Sequence, residues 1–184
     1  MRLEPIERPS GLLPKLAYWI TKRRLGKVMT PMKVVYARVP ALFRLAQTEV
    51  RVLDHGLSIE RHLQYLVQTW VAMINECAFC VDIAKAAAVQ RQIGLEKFEA
   101  LPDYATSPLF SERERAALAY VEEATRTKRV TDATFARLRQ HFDEREIVEL
   151  TWLNALENYF NLINLPLEIG ADGLCAIAQR RQAA

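Results

Sequence analysis

Cysteine is scarce in this sequence of 184 residues, with only Cys77, Cys80 and Cys175 present. An odd count of three is a poor basis for the disulfide scaffold of a secreted protein, so we expect free thiols. Basic side chains such as Lys15 and Lys22 interrupt the first 30 residues and leave no uncharged stretch typical of a secretory signal. We therefore expect a cytoplasmic protein.

Long hydrophobic runs are also lacking, since the longest is the six residues from Ala116 to Val121. A transmembrane helix needs roughly 18 such residues, so we expect no integral membrane segment. The net charge of +3 is too small to mark a nucleic-acid-binding surface over the whole chain, so we expect no nucleic-acid partner. With 51% hydrophobic and 26% charged residues, the chain can bury a core.

Strand signals are almost absent, whereas helical periodicity recurs along the chain. One amphipathic helix runs from Ser58 to about Asn75, and a second begins near Cys77 and is expected to end at Gly94. Further helices start at capping motifs. These motifs are Ser111 with Glu114, Thr131, and Asp143 with Glu146. The pattern predicts an all-α fold.

Five prolines break residues 1–40 into short pieces, so we interpret residues 1–34 as an arm and residues 35–184 as one helical domain. The arm is expected to lie on the body. A weak internal repeat at an offset of 84 residues aligns Glu60-Arg61 with Glu144-Arg145 and suggests two related helical units.

The spacing of Cys77 and Cys80 carries the most chemical information. Residues three apart share a helix face, and the N-terminus of a helix stabilises a thiolate through its free N–H groups and dipole. One cysteine can then attack an oxidised substrate while the other closes a disulfide. Two other interpretations remain open. The cysteines could be small buried hydrophobic residues, or zinc ligands with Cys175 and one of His55, His62 and His141.

The segment from Asn75 to Ile83, NECAFCVDI, resembles the carboxymuconolactone decarboxylase superfamily, and within it the AhpD-like alkylhydroperoxidases. The downstream segments FSERE (110–114), FDEREIVEL (142–150) and ENYFN (157–161) are similar to members of that superfamily. The resemblance covers roughly residues 35–170. It implies an AhpD-like helical bundle with a duplicated unit, assembled into a homo-oligomer such as a trimer or hexamer.

The resemblance also implies site roles. Cys80 corresponds to the thiol that attacks peroxide, and Cys77 to the thiol that resolves it. The family's relay histidine and glutamate are absent, because Ala84 and Tyr65 occupy their positions. Candidate supporting residues are therefore Tyr65 as a hydrogen-bond donor, His62 one turn before it as a replacement imidazole, and Asp82 as a proton acceptor.

These patterns predict a thiol-dependent peroxidase or disulfide oxidoreductase of the antioxidant type, without a cofactor or metal. Its partners would be a small hydroperoxide or disulfide substrate and an external thiol reductant. Two alternatives stay open. One is a non-catalytic redox sensor or oligomeric binding protein, and the other is a decarboxylase-like lyase, for which Lys85 and Arg91 are the nearby cations.

Overall fold

The structure is a computed structural model that describes residues 1–183. Within this range the chain forms nine α-helices and no β-strand, which confirms the all-α class. The helices are α1 (Leu12–Leu25), α2 (Pro40–His55), α3 (Arg61–Ile74), α4 (Ala78–Gln90), α5 (Glu96–Glu99), α6 (Glu112–Thr127), α7 (Asp132–Arg139), α8 (Glu144–Asn164) and α9 (Leu174–Ala183). None of these helices combines the length and the hydropathy of a membrane span.

The main core lies between α3, α6 and α8, which pack on one another. The apolar face predicted for α3 is buried there, including Leu63, Leu66 and Val71. From α8, Leu150 and Leu153 fill the opposite side. Burial of this amphipathic stripe holds α8 beside α3, and the candidate site forms where these two helices meet α4.

Most of the predicted helix starts are confirmed. Ser111 with Glu114 and Asp143 with Glu146 form complete capping boxes, and Thr131 caps α7. The predicted end of the cysteine-bearing helix at Gly94 is wrong. Helix α4 ends at Gln90, and Gln92 takes the left-handed conformation (φ 59°) that we expected of glycine. The N–H of Ile93 then bonds to the carbonyl of Ala88 at 3.0 Å and closes the helix end early.

Helix α4 packs between α3 and α9. Asp82 on α4 receives three backbone N–H hydrogen bonds, from Asp172 at 3.0 Å, Leu174 at 2.8 Å and Cys175 at 2.9 Å. A carboxylate at the first turn of a helix satisfies N–H groups that have no partner within the helix. Asp82 therefore caps α9 and fixes it against α4.

The N-terminal segment contacts the body through Asp172, whose side chain is buried. Lys27 Nζ lies 2.7 Å from this carboxylate, and Thr30 donates to it from its backbone N–H at 2.6 Å and its hydroxyl at 2.8 Å. The division at residue 34 and the internal duplication stay predictions.

Helix α2 is strongly amphipathic but buries none of its 16 residues. Leu45 and Val50 are each 47% exposed. The sequence analysis did not identify this helix, although Pro40 at its first position is a typical start signal. Before it, residues Met32–Tyr36 form a single π-helical turn, a feature that is frequent at functional sites.

Candidate active site

Cys77 and Cys80, called the thiol pair below, lie at the corner between α3 and α4. Glu76 adopts a left-handed conformation (φ 57°) that reverses the chain, and the N–H of Cys77 then bonds to Ala72 O at 2.8 Å. Cys77 is the N-cap of α4, and Cys80 lies one turn further along. The predicted position at a helix start is confirmed. Both thiols are free, and these residues are 1% and 4% exposed.

The two thiols have shifted pKa values of opposite direction. A hydrogen bond from Cys80 lowers the pKa of Cys77 to about 7 against the opposing effect of burial, and the N–H groups of Phe79 and Cys80 in the first turn of α4 lower it further. The same hydrogen bond raises the pKa of Cys80, as do burial and the charge of Glu157. Above about pH 7 the pair therefore carries one proton and one negative charge, and the N–H groups at the start of α4 favour the charge on Cys77.

Glu157 on α8 interacts with both thiols, and its side chain is buried. Burial raises its pKa to about 7, and the negative charge of Cys77 acts in the same direction. Hydrogen bonds from Asn161, Cys80 and Gln68 oppose the shift. A group with this pKa can both accept and donate a proton at neutral pH.

Three asparagines, Asn75, Asn158 and Asn161, connect the cysteine corner to α8 and are called the asparagine network. Asn75 Nδ2 donates to Asn158 Oδ1 at 3.0 Å and to Asn161 Oδ1 at 2.8 Å. Asn161 Nδ2 in turn donates to Glu157 Oε1 at 2.7 Å. Since Asn75 directly follows α3, the network fixes the carboxylate relative to the thiol pair.

Asn164 is the last residue of α8 and contacts Cys80. Its Nδ2 donates to Cys80 Sγ at 3.4 Å, and the residue is only 4% exposed. Its Oδ1 is buried and has no hydrogen-bond partner among residues 1–183.

Tyr36 interacts electrostatically with Cys80 and with two other side chains that can ionise. Burial raises the pKa of Tyr36, and the charges of Tyr159, Glu49 and Cys80 raise it further, which places all three within electrostatic range of its hydroxyl. Burial also raises the pKa of Glu49. Glu49 Oε2 is a second buried atom without a hydrogen-bond partner in the described chain. Tyr36 is the last residue of the π-helical turn.

The three candidate supporting residues have other partners. His62 Nε2 lies 3.1 Å from Glu114 Oε1, and Lys97 Nζ reaches the same oxygen at 2.6 Å. Tyr65 packs its ring against the main core, and Asp82 caps α9. A role of these residues in the reaction stays a prediction.

Sequence reasoning assigned no role to Glu157, Asn161 or Asn164. One signal for Glu157 was present, because it lies seven residues after Leu150 and four after Leu153, on the apolar face of α8. A carboxylate on such a face is unusual and often functional. Within residues 1–183, no cluster of three or more histidine, cysteine or acidic side chains could hold a metal ion.

Two uncharacterised bacterial proteins are similar to this chain. The uncharacterised protein YnjA of Escherichia coli K12 is 36% identical over 183 residues, which cover 98% of this chain and 100% of YnjA. YdfG of Bacillus subtilis 168, also uncharacterised, is 30% identical over 112 residues, covering 60% of this chain and 76% of YdfG. No protein-family model matches the chain.

Solved structures share the fold. ATU0492 of Agrobacterium tumefaciens, a protein of unknown function described as a candidate antioxidant defence protein AhpD, is 26% identical and has a TM-score of 0.69, covering 75% of this chain and 96% of its own. A peroxidase-related protein from Silicibacter sp. TM1040 has a TM-score of 0.79 at 22% identity, covering 91% and 90%. The debrominase Bmp8 has a TM-score of 0.80 at 17% identity, covering 95% of each chain.

Proposed function

The chain belongs to the AhpD-like superfamily, and from this we propose that it is a thiol-dependent oxidoreductase that reduces a small hydroperoxide or disulfide. The observation that carries the proposal is the position of the thiol pair at the start of α4 with Glu157 beside it. The lowered pKa of Cys77 and the carboxylate with a pKa of about 7 supply what the absent relay histidine and glutamate would provide.

The first step forms the nucleophile. The Cys80 thiol passes its proton along the sulfur–sulfur hydrogen bond to the Cys77 thiolate, and this leaves a thiolate on Cys80. The Cys80 thiolate then attacks the terminal oxygen of a hydroperoxide, the O–O bond breaks, and Cys80 becomes a sulfenic acid. Protonated Glu157 supplies the proton that the departing alkoxide needs to leave as an alcohol.

The second step closes the disulfide. Ionised Glu157 takes the proton of the Cys77 thiol, and the Cys77 thiolate attacks the Cys80 sulfur. The S–O bond breaks, hydroxide leaves with the proton from Glu157, and water is released. The hydroperoxide has then received two electrons from the two thiols, and an external dithiol returns them by thiol–disulfide exchange.

We assign the attack to Cys80 because three groups suited to a reacting oxygen contact it or act on it electrostatically. These groups are the amide of Asn164, the carboxyl of Glu157 and the hydroxyl of Tyr36. Cys77 is the N-cap of α4, where the first-turn N–H groups favour its negative charge. This environment suits a resolving thiol that also stores the proton of its neighbour.

A turnover assay with a dithiol reductant tests the proposal. Wild type should consume many equivalents of a small organic hydroperoxide, whereas Cys80→Ser and Cys77→Ser should not sustain turnover. The matched control Cys175→Ser should retain full activity. In Cys77→Ser, one equivalent of hydroperoxide should give a sulfenic acid that dimedone traps on Cys80. Full turnover by Cys80→Ser contradicts the proposal, and a single stoichiometric oxidation without turnover favours the redox-sensor alternative.

We also propose that the protein is a homo-oligomer in which α2 contacts another copy. The proposal rests on the resemblance to AhpD-like proteins and on the apolar face of α2, which stays exposed in the single chain. Light scattering at micromolar concentration should give a multiple of the chain mass of 21.1 kDa. The variant Val50→Glu should lower that mass, whereas Gln47→Glu, the same added charge on an exposed polar residue of α2, should not. A monomeric wild type contradicts this proposal.

A further inference from the structure

An unsatisfied hydrogen-bond acceptor lies beside the proposed nucleophile. The Asn164 side chain donates from Nδ2 to Cys80 Sγ at 3.4 Å, so its Oδ1 lies on the same planar amide, next to the sulfur. This oxygen is buried and has no partner within residues 1–183. Buried amide oxygens normally accept a hydrogen bond, because burial without one costs free energy.

The backbone around Asn164 is held in place, and this limits where its side chain can lie. Asn164 is the last residue of α8, and its carbonyl accepts the N–H of Ile169 at 3.1 Å in the turn that follows. Pro166 lies in that turn and prevents α8 from continuing. A side chain anchored at the end of a packed helix and hydrogen-bonded to the nucleophile is suited to orienting a small group that enters beside it.

We propose that Asn164 is a catalytic residue whose Oδ1 accepts a hydrogen bond from the terminal O–H of a hydroperoxide while its Nδ2 holds Cys80, so that the site selects hydroperoxides over disulfides. The inference rests on the proposed function and narrows its substrate class. The other buried atoms without partners are Glu49 Oε2, Thr69 Oγ1 and Trp70 Nε1. Among the four residues, Asn164 is the one with a hydrogen bond to a cysteine in the described chain.

Hydroperoxides and disulfides differ in whether they can donate a hydrogen bond to Asn164 Oδ1. A hydroperoxide carries one donor, the O–H on the oxygen that a thiolate attacks. The same O–H remains on the Cys80 sulfenic acid after the O–O bond breaks, so the hydrogen bond to Asn164 can persist through the transfer. A disulfide has no donor, and its sulfur next to Oδ1 would leave the acceptor unpaired. A site that is built for a hydrogen bond rejects an analogue without the donor.

The experiment compares one hydroperoxide with one disulfide on the same protein. Second-order rate constants for oxidation of the reduced protein are measured with cumene hydroperoxide and with 4,4′-dithiodipyridine, in wild type, Asn164→Ala and Asn164→Ser. Loss of one well-placed hydrogen bond corresponds to about a tenfold change in rate. We expect Asn164→Ala to lose about tenfold more rate with the hydroperoxide than with the disulfide. Asn164→Ser keeps an acceptor oxygen and should recover part of that loss.

The control variant is Gln140→Ala, which removes an exposed amide at the end of α7. It should leave the ratio of the two rate constants unchanged. A second comparison needs no variant: the hydroperoxide-to-disulfide ratio of wild type should exceed that of free N-acetylcysteine at the same pH. This comparison therefore tests the proposed selectivity even where a substitution at position 164 prevents folding.

Equal losses with both oxidants in Asn164→Ala would overturn the inference, because the amide would then act on the thiolate alone through Nδ2. A wild-type ratio no higher than that of N-acetylcysteine would overturn it as well. Both results leave the proposed function standing if wild type still turns over. Failure of wild type to react with either oxidant overturns the proposed function itself, so the two failures are distinguishable.

Discussion

Asn161 Nδ2 donates a hydrogen bond of 2.7 Å to Glu157 Oε1, and both side chains are buried one turn apart on α8. The Oδ1 of the same asparagine accepts from Asn75, at the cysteine corner. The carboxylate beside the thiol pair is thus tied through Asn161 to the corner that carries the cysteines. This arrangement fixes the position of Glu157, the proposed proton donor and acceptor, which lies far from the cysteines in sequence.

Glu157→Gln should reduce turnover with a hydroperoxide by about 10²- to 10⁴-fold, the range for loss of a general acid–base group. The amide keeps the size of the side chain but cannot exchange a proton with the thiols. The pH profile of the rate should also change near pH 7, because Glu157 no longer titrates there beside Cys77. Glu144→Gln, at the exposed start of α8, is the matched control and should behave as wild type. An active Glu157→Gln with an unchanged pH profile would exclude the acid–base role.

The stability of the protein should fall as the pH rises towards neutrality because of Glu157. Burial raises its pKa from 4.5 to about 7, so between these values the folded state binds a proton that the unfolded state has lost. The free energy of unfolding attributable to this group therefore decreases with pH across that window, by about 3 kcal/mol in total. Urea unfolding of wild type and Glu157→Gln should show the variant gaining relative stability from pH 4.5 to pH 7. A difference between the two proteins that does not change with pH would contradict this.

Asn161→Ala should shift the titration of Glu157 to higher pH. The Asn161 hydrogen bond is the largest of the effects that lower the pKa of this carboxylate, so its loss leaves the effect of burial less opposed. The measurement is the midpoint of the limb in the pH–rate profile, with thermal unfolding as a check on folding. Gln140→Ala, at the exposed end of α7, is the control, and its midpoint should stay in place. A shift to lower pH in Asn161→Ala would refute the assignment.

Asp82→Ala should destabilise α9. The carboxylate accepts three N–H groups at the start of that helix, and loss of such a cap costs about 1 kcal/mol. Amide hydrogen exchange at Leu174 and Cys175 should speed up relative to the amides of α3. Asp132→Ala, at the first turn of α7, serves as the control and should leave exchange in α9 as it is in wild type. Unchanged protection of α9 in Asp82→Ala would show that other contacts hold this helix.

Local features of the sequence predicted the fold well. The capping boxes at Ser111 and Asp143, and the position of Cys77 at a helix start, depend on residues within one turn of each other, which a sequence reader can see. The end of α4 was wrong because Gln92 took a left-handed conformation that is ordinarily assigned to glycine.

The surroundings of the thiol pair were harder to predict. Asn164 is 84 residues from Cys80, and its contact arises only when α8 packs against the α3–α4 corner. Periodicity could have singled out Glu157, since a carboxylate interrupts the apolar face of α8, but it could not have shown which group that carboxylate meets. His62 and Tyr65 were chosen by closeness in sequence, whereas the structure gives His62 a partner on α6 and places Tyr65 in the main core.

The most direct test of the account is the state of the thiols after one equivalent of cumene hydroperoxide is added to the reduced protein. Three free thiols are present at the start. The account predicts that one remains, on Cys175, and that peptide mass spectrometry finds a Cys77–Cys80 disulfide, which dithiothreitol reopens for another cycle. Three unreacted thiols, or a disulfide that includes Cys175, would contradict the central claim that Cys77 and Cys80 form the reactive couple.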